Sequence, residues 1–202
     1  KLPHLRLTVS LGEAEHDGFL PWAKLAAAPD AAALKAVART LDRNDPINIQ
    51  FTSGTTGRPK GVMLSHKNLS ANAHSIVSYL SLSEKDSVMV VLPFYYSYGN
   101  SLLLTHIMQG GTLVIDNRFM YPNVVLDAMQ QEEVTGFAGV PSTFAILLNR
   151  SNFKSCSLPS LRYITQAGGP MPHNMAYEIQ KVVPQAKLYI MYGQTEASAR
   201  LS

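Results

Sequence analysis

Short apolar runs rich in β-branched residues recur along the chain from residue 47 onward, with helix-like periodicities between them. Runs of this kind predict buried strands. The predicted strands are Ile47–Thr52, Val88–Leu92, Thr112–Ile115, Val134–Ala138, Arg162–Gln166 and Leu188–Met191. Because most of these runs are apolar throughout rather than alternating with polar residues, they favour strands that are covered on both faces, as in a parallel sheet.

The segments between these runs carry the periodicity of amphipathic helices. Leu69, Ala73, Ile76, Val77 and Leu80 lie on one helix face, and Ser65 is placed to cap the start of that helix. Further helices are predicted over Ser101–Met108, Asn123–Glu132, Pro141–Leu148 and Pro172–Val183. The alternation of strand and helix predicts a three-layer α/β/α fold, with a predominantly parallel sheet and helices on both faces.

The amino-terminal part of the chain lacks this regular alternation. A strand is predicted around Leu5–Val9, a helix in the alanine-rich stretch Ala26–Leu41, and a linker at Leu41–Pro46. We therefore expect residues 1–45 to be an amino-terminal segment and linker, and residues 46–202 to form an α/β subdomain.

Composition narrows the class of protein. Of the 202 residues, 46% are hydrophobic and 15% are charged, and the net charge is +3, which indicates a folded globular chain. The basic residues are scattered, so nucleic-acid binding is not expected. The longest uncharged apolar run, Val88–Phe94, is too short for a membrane helix, and no secretory leader is recognisable. The single cysteine, Cys156, fits a reducing compartment, and we expect the cytoplasm.

The first candidate site follows the strand predicted at Ile47–Thr52. Residues 52–61 contain four hydroxyl side chains, three glycines and one lysine. Glycines let backbone N–H groups approach an anion, and hydroxyls and lysine add donors and positive charge, so the composition predicts a phosphate-binding loop. A Walker P-loop is excluded by Pro59 and Gly61, which stand where that motif needs other residues. A mobile polar linker is the alternative interpretation. The candidate residues are Thr52, Ser53, Gly54, Thr55, Thr56, Gly57 and Lys60.

Two further segments follow predicted strands. Gln166–Pro172 contains a glycine turn that opens a helix, and Tyr192–Glu196 combines an aromatic ring, a hydroxyl and a carboxylate. In parallel sheets, ligands bind at the carboxyl ends of strands, where both segments are predicted to lie. Taken singly, the first would be read as an ordinary helix entry and Glu196 as a solvated charge.

These three segments together resemble the signature motifs of the AMP-forming adenylating enzymes, the superfamily of acyl-CoA synthetases, peptide synthetase adenylation domains and beetle luciferases. The resemblance extends over about Leu41–Ser202 and implies ATP and Mg²⁺ as ligands. It implies that Lys60, Thr195 and Glu196 are catalytic and that Glu196 holds the metal. It also implies that Gly168, Gly169 and Pro170 line the adenine and acyl site. It further implies that Tyr192 stacks on adenine and that Gly193 belongs to the nucleotide-binding residues.

The aromatic segment Leu92–Asn100 resembles the acyl-gate segment of acyl-CoA synthetases, with Tyr96 at a position where that family often has histidine. Gly139 lies in a second stretch that resembles the border of the acyl pocket. The resemblance therefore implies Tyr96, Gly99 and Gly139 as residues of the substrate pocket. An aromatic core cluster and simple strand-to-helix packing are the alternatives.

The expected function of the parent protein is that of an ATP-dependent ligase. It would join a small carboxylic acid to AMP with release of pyrophosphate and pass the acyl group to a thiol, either coenzyme A or a carrier-protein thiol. The family's later ribose-binding, hinge and catalytic-lysine segments are not recognisable before Ser202, so the 202-residue chain alone is expected to be inactive. The alternatives are a non-catalytic nucleotide-binding or structural fragment, and, with less support, a hydrolytic NTPase.

Overall fold

The computed structural model describes residues 7–11, 17–25, 30–53 and 57–200, which belong to two compact units, residues 1–42 and 43–202. In the first unit, β1 (Val9–Ser10) pairs in parallel with β2 (Leu20–Pro21). Two helices follow, α1 (Trp22–Leu25) and α2 (Ala31–Ala38). Asp30 caps α2 by accepting hydrogen bonds from the backbone N–H groups of Ala32 and Ala33, at 2.9 and 3.0 Å. Leu5 and Arg6 of the predicted strand and residues 26–29 of the predicted helix lie outside the described part.

The second unit is built on one five-stranded sheet in which all paired strands are parallel. Its strands stand in the order β6-β5-β7-β8-β9. Their bounds are β5 (Ser87–Val90), β6 (Thr112–Ile115), β7 (Gly136–Gly139), β8 (Tyr163–Gln166) and β9 (Lys187–Ile190). The associated helices are α3 (His66–Leu80), α4 (Ser97–Gln109), α5 (Pro122–Gln131), α6 (Pro141–Arg150) and α7 (His173–Val182).

Alternate residues of the strands face different helices, which shows that the sheet is covered on both sides. Val88, Val90 and Ala138 pack with Leu102 of α4. Tyr163 packs with α3, whereas the intervening residues of β5, β7 and β8 pack against α5, α6 and α7. This is the predicted three-layer α/β/α arrangement, and the prediction is confirmed.

The helix limits follow the sequence signals closely. Ser65 caps α3 through a reciprocal pair of bonds with Asn68: the Asn68 N–H donates to Ser65 Oγ at 3.2 Å, and the Ser65 N–H donates to Asn68 Oδ1 at 3.0 Å. Helix α4 ends at Gly110, which takes the left-handed conformation expected of a glycine stop, but it begins one turn earlier than predicted, at Ser97. None of the described helices is long and apolar enough to cross a membrane.

One strand differs from prediction. Residues Pro46–Thr52 form β3, which is not part of the parallel sheet but pairs antiparallel with β4 (Lys60–Ser65). The glycine-rich segment therefore connects two antiparallel strands and does not follow a strand of the parallel sheet. The reason is that Val62 and Leu64 are half-buried and buried, whereas Gly61 and Met63 are exposed, the alternation of a half-buried antiparallel strand.

A hydrogen-bonded acid ties the amino ends of three strands together. Asp86, only 5% exposed, accepts bonds from Ser83, Thr135 and Arg162, with Arg162 Nη2 at 2.7 Å. Burial raises the pKa of Asp86, but these bonds and the charge of Arg162 outweigh it, so the pKa lies below its ordinary value. Asp86 precedes β5, Thr135 precedes β7 and Arg162 precedes β8, so this network stabilises the edge opposite the candidate site.

Asp86→Asn is expected to lower the free energy of unfolding at pH 7 by about 2 kcal/mol, because it removes charge-assisted hydrogen bonds to a buried carboxylate. A group with a lowered native pKa contributes stability above its unfolded pKa, near 4, and loses it as the pH falls through the native pKa. The difference between variant and wild type should therefore shrink below about pH 4. Urea unfolding at several pH values measures this, with the exposed Asp127→Asn as control; an equal effect of both changes would contradict the assignment.

Candidate functional site

An open cleft lies at the carboxyl ends of β8 and β9. Its volume is about 650 Å³, and it is lined by the loop after β8 and by the segment that ends β9. The lining residues are Gly168, Gly169, Pro170, Met171, Ile190, Met191, Tyr192 and Gly193. The structure thus brings the glycine turn and the tyrosine segment, which are more than twenty residues apart in sequence, to the two sides of one cleft.

The glycine turn rests directly on the start of α6. Gly168 has a φ of +83°, a conformation that favours glycine, and a Cβ there would stand 3.2 Å from Val140 Cγ1. The side-chain amide of Gln166 donates to the Gly169 carbonyl at 2.8 Å and fixes the turn from below. The turn therefore presents exposed backbone with no side chain over it, a surface on which a planar group can lie.

The segment after β9 closes into a short 3-10 helix, Thr195–Ala197. Gly193 packs so closely on the Ala199 carbonyl that a Cβ at residue 193 would overlap the oxygen, so no other residue fits there without a backbone shift. Tyr192 is 65% exposed beside the cleft. Thr195 is half-buried, and Glu196 is exposed.

The phosphate-loop hairpin lies at the same edge of the sheet. Gln50 of β3 donates through Nε2 to the Tyr95 carbonyl, which follows the end of β5, at 2.8 Å. Strand β4 contacts the Thr195–Ala197 helix. The hairpin that carries Lys60 therefore lies next to the turn that carries Glu196. The order of the two motifs along the chain does not by itself predict this contact.

The described residues of the loop lie at the ends of the two hairpin strands. Thr52 and Lys60 form the last register pair before the loop, and Ser53, Gly57 and Lys60 are exposed. Gly54, Thr55 and Thr56 lie outside the described residues. Lys60 and Glu196 are both exposed, and neither takes part in an ion pair among the described residues.

The three predicted substrate-pocket residues lie in different environments. Tyr96 is exposed at the start of α4, with its ring centroid 4.7 Å from that of Tyr95. Gly99 and Gly139 are both buried, Gly99 against the backbone of Leu92 and Pro93 and Gly139 against the side chains of α6. Only Tyr96 of the three therefore presents a side chain to the surface.

The sequence pattern did not predict the polar contacts of Tyr98, which belongs to the aromatic segment Leu92–Asn100. The Tyr98 hydroxyl and Thr165 Oγ1 are hydrogen-bonded at 2.8 Å, and the Arg200 guanidinium stacks 5.0 Å from the centroid of the Tyr98 ring. Arg200 is 3% exposed. The sequence feature that could have indicated these contacts is an arginine four residues after Glu196, preceded by small residues.

The donor set at this edge suits magnesium bound with phosphates. Among the described residues, no group of three or more histidine, cysteine, aspartate or glutamate side chains could hold a metal ion without help. Magnesium commonly takes one or two carboxylates and completes its shell with substrate phosphates and water. The exposed carboxylate of Glu196, beside the hairpin that carries Lys60, fits that mode of binding.

Comparison with known proteins places this geometry in a family. The sequence matches the AMP-binding enzyme family over residues 3–202. The medium-chain acyl-CoA ligase ACSF2 of Mus musculus, a mitochondrial protein, is 34% identical over 207 residues, which cover 98% of this chain and 34% of that protein. A feruloyl-CoA synthase of an Amycolatopsis species is 31% identical over 157 residues, covering 77% of this chain and 31% of the relative. The chain thus spans about a third of the length of these relatives.

Solved structures agree with the fold. The o-succinylbenzoate CoA synthetase MenE from Bacillus subtilis, in complex with ATP and magnesium ion, matches with a TM-score of 0.70 and 31% identity over 79% of this chain and 32% of that one. A structure from Rhodopseudomonas palustris covers 97% of this chain and 46% of its own, with a TM-score of 0.76, and at 24% identity shows the fold alone. Because the family match extends over nearly the whole sequence, the chain belongs to the family of AMP-binding enzymes.

Proposed function

We propose that the chain is the nucleotide-binding part of an ATP-dependent ligase that activates a carboxylic acid as its acyl-adenylate. The substrate carboxylate attacks the α-phosphorus of ATP, the bond to the β-phosphate oxygen breaks, and pyrophosphate leaves. The acyl group then passes to a thiol, with release of AMP. The observation that carries the proposal is the meeting of the Lys60 hairpin, the Glu196 turn and the Gly168–Tyr192 cleft at one edge of the sheet.

The proposed phosphate contacts come from the hairpin and from the turn beside it. Lys60, with the hydroxyls of Thr52 and Ser53, would neutralise charge on the β- and γ-phosphates, and Thr195 would donate to the α-phosphate. Thr55 and Thr56 remain predicted donors of the same loop. Magnesium, when bound, supplies positive charge to the phosphates, and Glu196 is the residue that would hold it. These groups act by positioning and by stabilising charge on the departing pyrophosphate.

The proposed adenine site is the cleft itself. Tyr192 offers an exposed ring, and Gly168, Gly169 and Pro170 offer backbone free of side chains on the facing side. A planar base between them would stack on the tyrosine and contact the glycine turn. Tyr96 and the segment around Gly99, together with Gly139, stay our predicted border of the acyl site.

The relatives support this chemistry without fixing the substrate. The mouse relative is a medium-chain acyl-CoA ligase, and the Amycolatopsis relative is a feruloyl-CoA synthase. MenE has been solved with ATP and magnesium ion and with the acyl-adenylate intermediate OSB-AMP. Coenzyme A is accordingly our proposed acceptor, with a carrier-protein thiol as the second choice. The cytoplasm stays our predicted compartment, although the mouse relative is mitochondrial.

The deciding experiment follows pyrophosphate and AMP with the full-length protein that contains this chain. The protein is incubated with Mg·ATP and a panel of aliphatic and aromatic acids, with and without coenzyme A. We expect acid-dependent release of pyrophosphate, and AMP and thioester formation when coenzyme A is present. Release of ADP and inorganic phosphate instead would contradict the proposal and favour a hydrolytic NTPase.

The alternative of a non-catalytic fragment is tested with the same assay. The 202-residue chain, which spans about a third of its relatives, is run in parallel with the full-length protein. We expect no acid-dependent turnover from it. Turnover by neither protein would favour a binding or structural role, whereas turnover by the short chain would show that all the required groups lie within it.

A further inference from the structure

The hairpin of β3 and β4 is a two-stranded sheet separate from the five-stranded sheet among the described strands. Side-chain contacts and single hydrogen bonds, rather than strand pairing, therefore set its position in the unit. Strand β4 contacts α3 and the Thr195–Ala197 helix. A further link comes from β3, where Gln50 Nε2 donates to the Tyr95 carbonyl at 2.8 Å. This bond joins the strand before the phosphate loop to the aromatic segment that we predict to border the acyl site.

The polar face of β3 is the less exposed of its two faces. Gln50 and Thr52 are half-buried, whereas Ile49 and Phe51 are exposed. Gln50 and Thr52 thus extend from the same face, about 7 Å apart along the strand. Thr52 stands opposite Lys60 in the strand register, and the side chains of directly opposed residues share a face. The Gln50 amide and two of the proposed phosphate contacts therefore lie on one side of the hairpin.

The Tyr95 carbonyl belongs to a tightly packed turn. The Tyr96 N–H donates to the Pro93 carbonyl at 3.1 Å. A Cβ at Gly99 would overlap the same carbonyl oxygen, so the first turn of α4 packs directly on it. Tyr95 and Tyr96 are 69% and 59% exposed, and their ring centroids are 4.7 Å apart. Because the turn is compact, a displacement of the Tyr95 carbonyl moves both rings.

A hydrogen bond between the walls of two binding sites links the two binding events. A nucleotide that holds the phosphate loop fixes the strand that carries Gln50, and through the Tyr95 carbonyl it favours one position of the aromatic turn. An acid that packs against Tyr96 fixes the other end of the same bond. Each ligand then strengthens the binding of the other, and thermodynamic linkage requires the two factors to be equal.

We propose that Gln50 is a positioning residue that couples the phosphate loop to the acyl site, so that ATP and the acid strengthen each other's binding. This inference rests on the proposed ligase function. Adenylation requires the acid carboxylate and the α-phosphorus to meet in the correct geometry, and much of an enzyme's rate enhancement depends on such positioning. A glutamine suits this role, because its amide donates to a carbonyl and adds no charge beside the phosphates.

The test measures binding to the full-length protein. The acid is whichever of butyrate, octanoate, benzoate and ferulate gives the highest kcat/KM for pyrophosphate release with Mg·ATP. Calorimetry then gives the Kd of this acid alone and with saturating magnesium α,β-methylene-ATP, in which a methylene group replaces the oxygen that leaves with pyrophosphate. In wild type we expect the nucleotide to lower the Kd of the acid about 10-fold, and the acid to lower the Kd of the nucleotide by the same factor.

Three variants separate coupling from structure. Gln50→Met keeps the length of the side chain and removes the donor, so it should lower this factor to below about 3 while changing the Kd of each ligand alone by less than about twofold. Gln50→Glu, which places a carboxylate against the Tyr95 carbonyl at neutral pH, should lower the factor as well. The matched control is Gln185→Met, because Gln185 Nε2 also donates to a distant carbonyl, that of Leu158, at 2.7 Å, but from the loop before β9. It should keep the wild-type factor.

The failures are distinguishable. If acids are activated but the nucleotide does not change the Kd of the acid in wild type, the inference is overturned and the ligase function stands. The same conclusion follows if both Gln50 variants keep the wild-type factor, if Gln185→Met loses it equally, or if the Gln50 variants weaken each ligand alone and leave the factor intact. If no acid releases pyrophosphate, the ligase function falls and this inference falls with it.

Discussion

Replacement of Glu196 by Gln in the full-length protein is expected to reduce adenylate formation about 1000-fold. The carboxylate is exposed, has no ion-pair partner among the described residues and stands beside β4, so its charge is available to a metal ion that carries phosphates. Glutamine keeps the size of the side chain and removes the charge that magnesium prefers. Exchange of labelled pyrophosphate into ATP, measured over a magnesium titration, should show both the lower rate and a higher magnesium requirement.

The matched control is Glu132→Gln, an exposed glutamate at the end of α5. It should leave exchange at the wild-type rate. Wild-type exchange by Glu196→Gln at every magnesium concentration would remove this residue from the metal site and leave the turn without a catalytic charge.

Lys60→Ala is expected to reduce the same exchange about 100-fold, because it removes a positive charge aimed at the departing pyrophosphate. Lys60 is exposed and lies opposite Thr52 at the last backbone pair of the hairpin strands. Replacing its side chain should therefore hardly change the unfolding midpoint. The contribution of an exposed charge is screened by salt, so the gap between wild type and variant should narrow as ionic strength rises.

Lys181→Ala, which removes an exposed lysine from α7, serves as the control for net charge. It should match wild type at all salt concentrations. Equal losses in both lysine variants would mean that overall charge, and not a contact from the hairpin, attracts the nucleotide.

The central sheet was predictable because its strands are short, largely apolar runs that alternate with helical periodicities. Val88–Leu92 is an example: it is observed at Ser87–Val90, between parallel neighbours and covered on both faces. A strand buried on both sides carries its own signal in composition, whichever strands flank it.

The hairpin was not predictable by the same reasoning. Ile47–Thr52 was correctly predicted as a strand, but its partner, Lys60–Ser65, begins inside the glycine-rich motif, so the motif masked the alternation of Val62 and Leu64. A local strand pattern gives neither the partner nor the direction of pairing, so it left open whether this strand joins the parallel sheet or pairs with the next segment of the chain.

The site shows the same division. The three motifs were recognisable in the sequence because few other functions require their residue types in combination. The burial of Arg200 was not recognisable in this way. Its burial depends on Tyr98, Ser101 and Met191, which come from α4 and from the segment after β9. The sequence around a single arginine preceded by small residues does not indicate that such neighbours will enclose its side chain.

The Asp86 network lies at the amino edge of the sheet, whereas the cleft between the glycine turn and Tyr192 lies at the other edge. Changes in the loops that face a ligand therefore need not disturb the bonds that join the strand beginnings. The substrate preference of such a protein can therefore change through a few substitutions in the loops, with little change in the free energy of unfolding. Descendants of one ancestor could diverge widely in the acids they recognise while keeping a recognisable frame.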